Sequence, residues 1–253
     1  MGRTAYDEAF YKFQGEQSRL SAQRLLPLAF SLIECKSLLD VGCGVGPWVA
    51  TAKELGVPEA IGVDGSYVEE RLLVIPKDMF VSADLTQALD MQRRFDLVIS
   101  LEVAEHIPPS SAETFVDNLT KHSDAIVFSE AIPGQGGNHH VNEQWPEYWE
   151  SKFKARGYLQ FDVFRKQIWN DSEIPWWYRQ NVYLYVKAAS LSQFRNLAEI
   201  DLKSCAPVAS VHPELFTERI NEPMPLRRIL RDLPAAIRTA LAARARRVLS
   251  FGS

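Results

Sequence analysis

Dense apolar runs and amphipathic stretches alternate through the first two thirds of the chain. Leu38, Leu39 and Val41 form a run suited to a strand buried on both faces, and comparable runs follow at 60–63, 79–81, 95–100 and 124–129. Between them, helical periodicity predicts helices over 48–55, ended by Gly56 and Pro58, over 67–73 and over 111–122. A helix over 145–155, closed by Gly157, and strands over 158–164 and 182–186 complete the series. Strands and helices alternating at this spacing imply a largely parallel sheet with helices on both faces. Ahead of the first strand, Tyr6, Phe10, Phe13, Leu20, Leu25, Leu28, Phe30 and Leu32 recur at helical spacing, with Pro27 expected to bend or divide the region.

The first strand runs directly into Asp40, Gly42, Cys43, Gly44, Gly46 and Pro47. Three glycines remove the β-carbons that would block close approach to the backbone, and Pro47 suits a first helical turn. Such a strand, turn and helix start is a general device for nucleotide-like ligands. No Gly-Lys-Ser/Thr follows, and Pro47 stands where a dinucleotide fingerprint wants glycine. Asp64 ends the next apolar run, followed by Gly65; an ionised carboxylate there can accept hydrogen bonds from both hydroxyls of a ribose.

The Asp-x-Gly-x-Gly-x-Gly pattern with Asp64 resembles the first motif of the class I S-adenosylmethionine-dependent methyltransferases, a likeness that covers roughly residues 38–187. The resemblance implies an α/β, Rossmann-like, doubly wound and mostly parallel seven-stranded sheet whose final strand enters antiparallel. It also implies S-adenosylmethionine as cofactor, held by Asp40, Gly42, Cys43, Gly44, Asp64, Gly65, Asp84, Leu85 and Leu101. In this reading Gly42 and Gly44 meet the methionine end, while Asp40 organises the turn or reaches the amino group through water. Asp84 matches the position that accepts the adenine amine, with Leu85 beside it; it reads equally as a helix N-cap before Thr86. Leu101 approaches through its backbone, and Glu102 is either substrate-facing or solvated. The N-terminal helical region covers the cofactor, packs on one sheet face, or does both.

Methyl transfer to an alcohol requires control of the acceptor's proton, which directs attention to histidine. Five are present: His106, His122, His139, His140 and His212. His106 follows the fourth strand in Glu-Val-Ala-Glu-His, at a position bordering the active site in related enzymes. The loop Gly-Gly-x-x-His-Val-Asn-Glu-Gln-x-Pro-x-Tyr-Trp, from Gly136 to Trp149, resembles one in bacterial methyltransferases of polysaccharide and natural-product pathways. His140 is the favoured base and His106 the second, with His139, Asn142 and Glu143 contacting a small-molecule or glycan acceptor. Trp177, Arg179 and Asn181 form a second acceptor-binding candidate, aromatic and polar, with Arg179 available to an acceptor carboxylate or phosphate. No metal site is expected, because adjacent His139 and His140 point apart in an extended loop and imidazole suits magnesium poorly.

Composition changes this picture little. The chain has 253 residues, 46% hydrophobic and 24% charged, with a formal net charge of −4 that argues against a nucleic-acid partner. Three cysteines without a C-x-x-C pair fit a reducing cytoplasm. From Leu226 onward, however, seven arginines accompany the single acid Asp232, and Leu233, Ile237, Leu241, Val248 and Leu249 share a helical face. That pattern suits peripheral contact of residues 226–249 with the inner membrane surface, or packing on the protein's own acidic body. The expected organisation is a helical cover at 1–36, a cofactor-binding domain at 37–190 and an appendage at 191–253.

Overall fold

The computed structural model describes residues 8–198 and 209–222, with residues 230, 233–235, 237 and 238 of the tail. The remainder of the proposed basic helix, and Tyr6, lie outside the described residues. Two compact units are present, Met1–His212 and Pro213–Ser253.

The first unit holds a seven-stranded sheet in the order β3-β2-β1-β4-β5-β7-β6. Its strands are β1 (Ser37–Val41), β2 (Glu59–Asp64), β3 (Phe80–Ser82), β4 (Leu97–Leu101), β5 (Ala125–Ser129), β6 (Tyr158–Phe161) and β7 (Tyr183–Lys187). The first five pair in parallel, and β7 runs antiparallel to both β5 and β6. The mostly parallel, doubly wound sheet anticipated from the sequence is therefore present. Side-chain alternation divides the core between its faces. Leu97, Ile99 and Val127 pack on one side, with α1 (Glu8–Leu32) and α2 (Pro47–Glu54) contributing Leu26 and Val49, and Ile33 following α1 into the same layer. Val98, Ile126 and Phe128 pack on the other, against Phe115 of α3 (Ala112–His122) and Trp149 and Phe153 of α4 (Pro146–Ala155). Asp96 pins the start of β1 beside β4, its carboxylate accepting bonds from the backbone N–H groups of Lys36 and Ser37 at 2.9 and 2.8 Å.

Two local expectations change. Pro27 lies inside a continuous α1 rather than dividing it. It is exposed, as is Gln23 four residues earlier, so the carbonyl that loses its partner can turn to water while Leu25, Leu26 and Ala29 hold the inner face. The helix expected over 67–73 is only a single 3-10 turn at Glu70–Leu72, followed by another at Lys77–Met79. None of residues 70–72 is buried, so no apolar face rewards a longer helix, and Pro76 ends the segment. Short helices α5 (Arg165–Ile168), α6 (Trp176–Asn181) and α7 (Arg195–Ala198) complete this unit. In the second unit α8 spans Pro213–Asn221, and Leu230, Leu233 and Ile237 are exposed. No helix among the described residues is long and apolar enough to cross a membrane.

Candidate functional site

Beyond the carboxyl ends of β1 and β4 lies a cleft. Gly42, Gly44, Val45 and Trp48 form its floor, Leu101 and Glu102 one wall, and Gly15 and Ser18 of α1 with Tyr178 of α6 the cover. Thus α1 both packs on the sheet and closes the cleft. The turn depends on glycine for specific reasons. Gly42 has φ +90°, and a β-carbon on it would lie 2.3 Å from Val103 Cγ2. Gly44 has φ +54° and open space around its missing β-carbon, which leaves its backbone accessible from the cleft.

Asp64, at the end of β2, is buried and fully engaged. One carboxylate oxygen accepts the Gly44 N–H at 2.7 Å; the other accepts the Gly65 N–H at 2.6 Å and the hydroxyl of Tyr67. Burial pushes its pKa up against the opposing pull of these bonds. Asp40 is buried with Oδ2 unpartnered among the described residues, and burial together with the nearby Asp64 charge holds its pKa well above the carboxylate range. An ammonium-bearing, ribose-bearing ligand suits this pair: a positive charge for the unpartnered Asp40 oxygen, and a hydroxyl able to take the place of the Tyr67 hydroxyl on Asp64. Open backbone at Gly44 and the orphaned Asp40 oxygen therefore fit S-adenosylmethionine. Cys43 is a small buried residue whose sulfur occupies the space beside Gly62. Asp84 is exposed and caps a turn rather than a helix, its Oδ1 accepting bonds from the N–H and hydroxyl of Thr86, which lower its pKa. Leu85 is buried in the core beside it.

A second group of side chains gathers beyond β4 and β5. Glu102 lines the cleft with φ +55°, a left-handed backbone that is unfavourable for glutamate. Its surroundings hold it there. Its N–H donates to Ser129 Oγ at 2.9 Å, and its carboxylate accepts Gln135 Nε2 at 2.9 Å and Asn181 Nδ2 at 3.3 Å. Burial nevertheless raises its pKa. Behind it Glu105 is 1% exposed, and Glu130 is fully buried with neither carboxylate oxygen partnered among the described residues. Burial, then repulsion from Glu102, pushes both well above the glutamate range.

His106 and His140 meet edge to face, with ring centroids 5.0 Å apart. His140 Nδ1 is 3.0 Å from Glu143 Oε1, and its Nε2 is 3.9 Å from Glu105 Oε1. Glu143 also accepts the N–H groups of Gly134 and Gly136 at 2.8 and 2.6 Å; although burial opposes it, these bonds and His140 lower its pKa. The loop is anchored because Val141 and Asn142 donate their N–H groups to the Glu105 carbonyl at 2.9 and 3.0 Å. Burial, reinforced by His140, lowers the His106 pKa to about 4, so its ring is neutral near pH 7. A neutral imidazole of such low basicity accepts protons poorly. His140, backed by Glu143, is better arranged to do so.

Several residues expected to contact the acceptor are placed inward instead. Arg179 is 4% exposed, donates to the Trp169 carbonyl at 3.0 Å and lies 3.2 Å from His212 Nε2; the short α6 turns it into the interior, away from an acceptor anion. Asn181 is buried against Gln135 and Glu102, and Asn142 is 2% exposed with Oδ1 accepting Gln144 Nε2 at 2.9 Å. Glu143 positions His140 and the loop backbone rather than presenting a free carboxylate. His139 is exposed with φ +59°, and Trp177 is half-buried, edge to face with Trp176. Glu105 and Gln135 are residues that sequence reasoning left without a role. The signal for Glu105 was its place with Glu102 in one short run ending at His106, directly after a buried strand.

The sequence matches the family model described as "Methyltransferase domain" over residues 13–161. Similar solved structures include DesVI of Streptomyces venezuelae, 15% identical with a TM-score of 0.54 over 73% of this chain and 100% of that one. The sugar N-methyltransferase KedS8 of Streptoalloteichus is 17% identical, with a TM-score of 0.54 over 74% of this chain and 95% of that one. The plantazolicin methyltransferase BpumL, solved with SAH and a pentazolic desmethylPZN analogue, is 13% identical, with a TM-score of 0.52 over 71% of this chain and 88% of that one. At these identities the likeness is one of fold. No curated protein sequence matches significantly.

Proposed function

The chain belongs to the methyltransferase-domain family, with S-adenosylmethionine as its methyl donor, and from that premise we propose that it methylates a hydroxyl group of a sugar-containing or other small acceptor. The observation that carries this reading is the His140 imidazole, backed by Glu143 at Nδ1 and directed by Nε2 toward Glu105 beside His106. A neutral amine attacks a methyl sulfonium with its own lone pair. A hydroxyl needs its proton removed, and a proton-accepting cluster at the sheet edge suits that need.

When bound, S-adenosylmethionine supplies an electrophilic methyl group. The chain's own residues do the rest. The Gly42–Gly44 turn and Asp64 orient the donor, α1 and Tyr178 exclude water from the cleft, and the His140 cluster receives the acceptor's proton. Alignment of donor and acceptor contributes as much as proton removal to such an in-line displacement. Trp48 and Tyr178, whose rings meet edge to face at 5.7 Å, give the cleft an aromatic wall. The test is transfer of isotopically labelled methyl to a panel of hydroxylated and aminated sugars, with the methylated atom assigned by NMR. Products carrying the label on oxygen support the reading; label on nitrogen or carbon alone overturns it.

A further inference from the structure

We propose that Glu105, His106 and His140 form a binding site for a divalent transition-metal cation of the zinc and manganese type. One ligand atom from each residue lies within 4.8 Å of the other two. Around a cation bound at about 2.0–2.2 Å from each ligand, neighbouring ligand atoms come somewhat closer than this, so small side-chain adjustments close the site.

The Glu105 side chain is 1% exposed, yet its Oε2 has no partner among the described residues. His106 Nδ1 is likewise buried without a partner among the described residues. His140 gives Nδ1–H to Glu143, which leaves the lone pair on Nε2, the atom 3.9 Å from Glu105 Oε1. The His140 imidazole is thus oriented through its far nitrogen by a carboxylate. Metal-ligating histidines are held in the same way.

Packing alone leaves this arrangement unexplained. A buried carboxylate oxygen and a buried imidazole nitrogen that each lack a donor are costly, and a cation held by the trio satisfies both. Two nitrogens and one oxygen select a borderline cation over magnesium or calcium. This trio differs from the pairing of His139 with His140 that the sequence led us to discount, because His106 comes from the segment after β4. The site stands on these contacts. Its use in catalysis rests on the hydroxyl-methylation reading and replaces His140 as base: with Nε2 on the cation the imidazole accepts no proton. A coordination position left open to the acceptor's oxygen would instead lower the pKa of that hydroxyl so that its proton passes to water.

The test uses the full chain, stripped with chelator and dialysed against Zn²⁺ or Mn²⁺, with bound metal measured by elemental analysis. Co²⁺ serves as a visible-absorption probe of the ligand set. About one equivalent per chain is expected, with Glu105→Gln and His140→Ala each weakening binding more than about 100-fold and Glu143→Gln about 10- to 100-fold. Calorimetric binding of S-adenosylmethionine to every variant checks that the fold is intact. Wild-type protein that binds S-adenosylmethionine but takes up neither metal overturns the site, as do Glu105→Gln and His140→Ala variants that keep wild-type metal affinity. Metal bound at the trio alongside a metal-independent methylation rate upholds the site and removes only its catalytic use.

Discussion

The glycine-turn cleft and the side-chain cluster beyond β4 and β5 are built by opposite means. The β1–β2 side is mostly backbone: glycines in left-handed conformations, open space where Gly44 lacks a β-carbon, and one carboxylate, Asp64, held by the main-chain N–H groups of Gly44 and Gly65. The β4–β5 cluster is mostly side chain: two buried glutamates, the half-buried Glu102 and two imidazoles, with Gln135 bonded to Glu102 and Asn181, and Glu143 to His140. A backbone cradle suits a ligand that never changes. A side-chain cluster can be retuned residue by residue, which is where specificity and proton control belong.

If the division is real, substitutions should separate the two. The largest effect is expected from His140→Ala, which should slow methyl transfer by about 10²–10⁴-fold while leaving calorimetric affinity for S-adenosylmethionine unchanged. Parallel loss of cofactor affinity would mean that the two are one unit. Next, Asp64→Ala should weaken cofactor binding by about 10- to 100-fold, since hydrogen bonds to an ionised group are worth about 1.5–3 kcal/mol. Unaltered affinity would remove Asp64 from the cofactor.

A single methyl group should also injure the backbone side. Gly42→Ala forces a β-carbon onto Val103 at φ +90° and should cost about 1–2 kcal/mol in chemical denaturation. The smallest effect concerns charge. Burial raises the folded-state pKa of Glu130 above its unfolded value, so the wild-type protein loses stability as pH rises through the folded value. Glu130→Gln does not titrate. It should therefore be more stable than wild type at alkaline pH, with the difference vanishing below the ordinary glutamate range. Melting curves across pH would show it, and a deficit at alkaline pH would mean that the charge is required.

The same contrast explains what the sequence could disclose. Each glycine of the turn answers a steric demand set within a few residues, so spacing alone marked the cradle and Asp64. The sheet was equally legible, because Leu38, Val98 and Val127 lie in runs that only a strand buried on both faces accommodates. The meeting of Glu105 and His106 with His140 depends on a loop returning to the Glu105 carbonyl, which no local pattern encodes. Arg179 looked available for the same reason: its partners, Trp169 and His212, reach it only through the fold. The absent helix after β2 was a failure of a different kind, since its periodicity had no buried surface to meet.

Tyr67 gives the cleft an internal competitor. Its ring lies over Gly65, where an added β-carbon would come within 2.2 Å of it, and its hydroxyl rests on Asp64. Were a ribose to bind Asp64 as proposed, it would meet a carboxylate that already holds a hydroxyl, and one hydroxyl would replace the other, sparing Asp64 an unpartnered interval in a low-dielectric pocket.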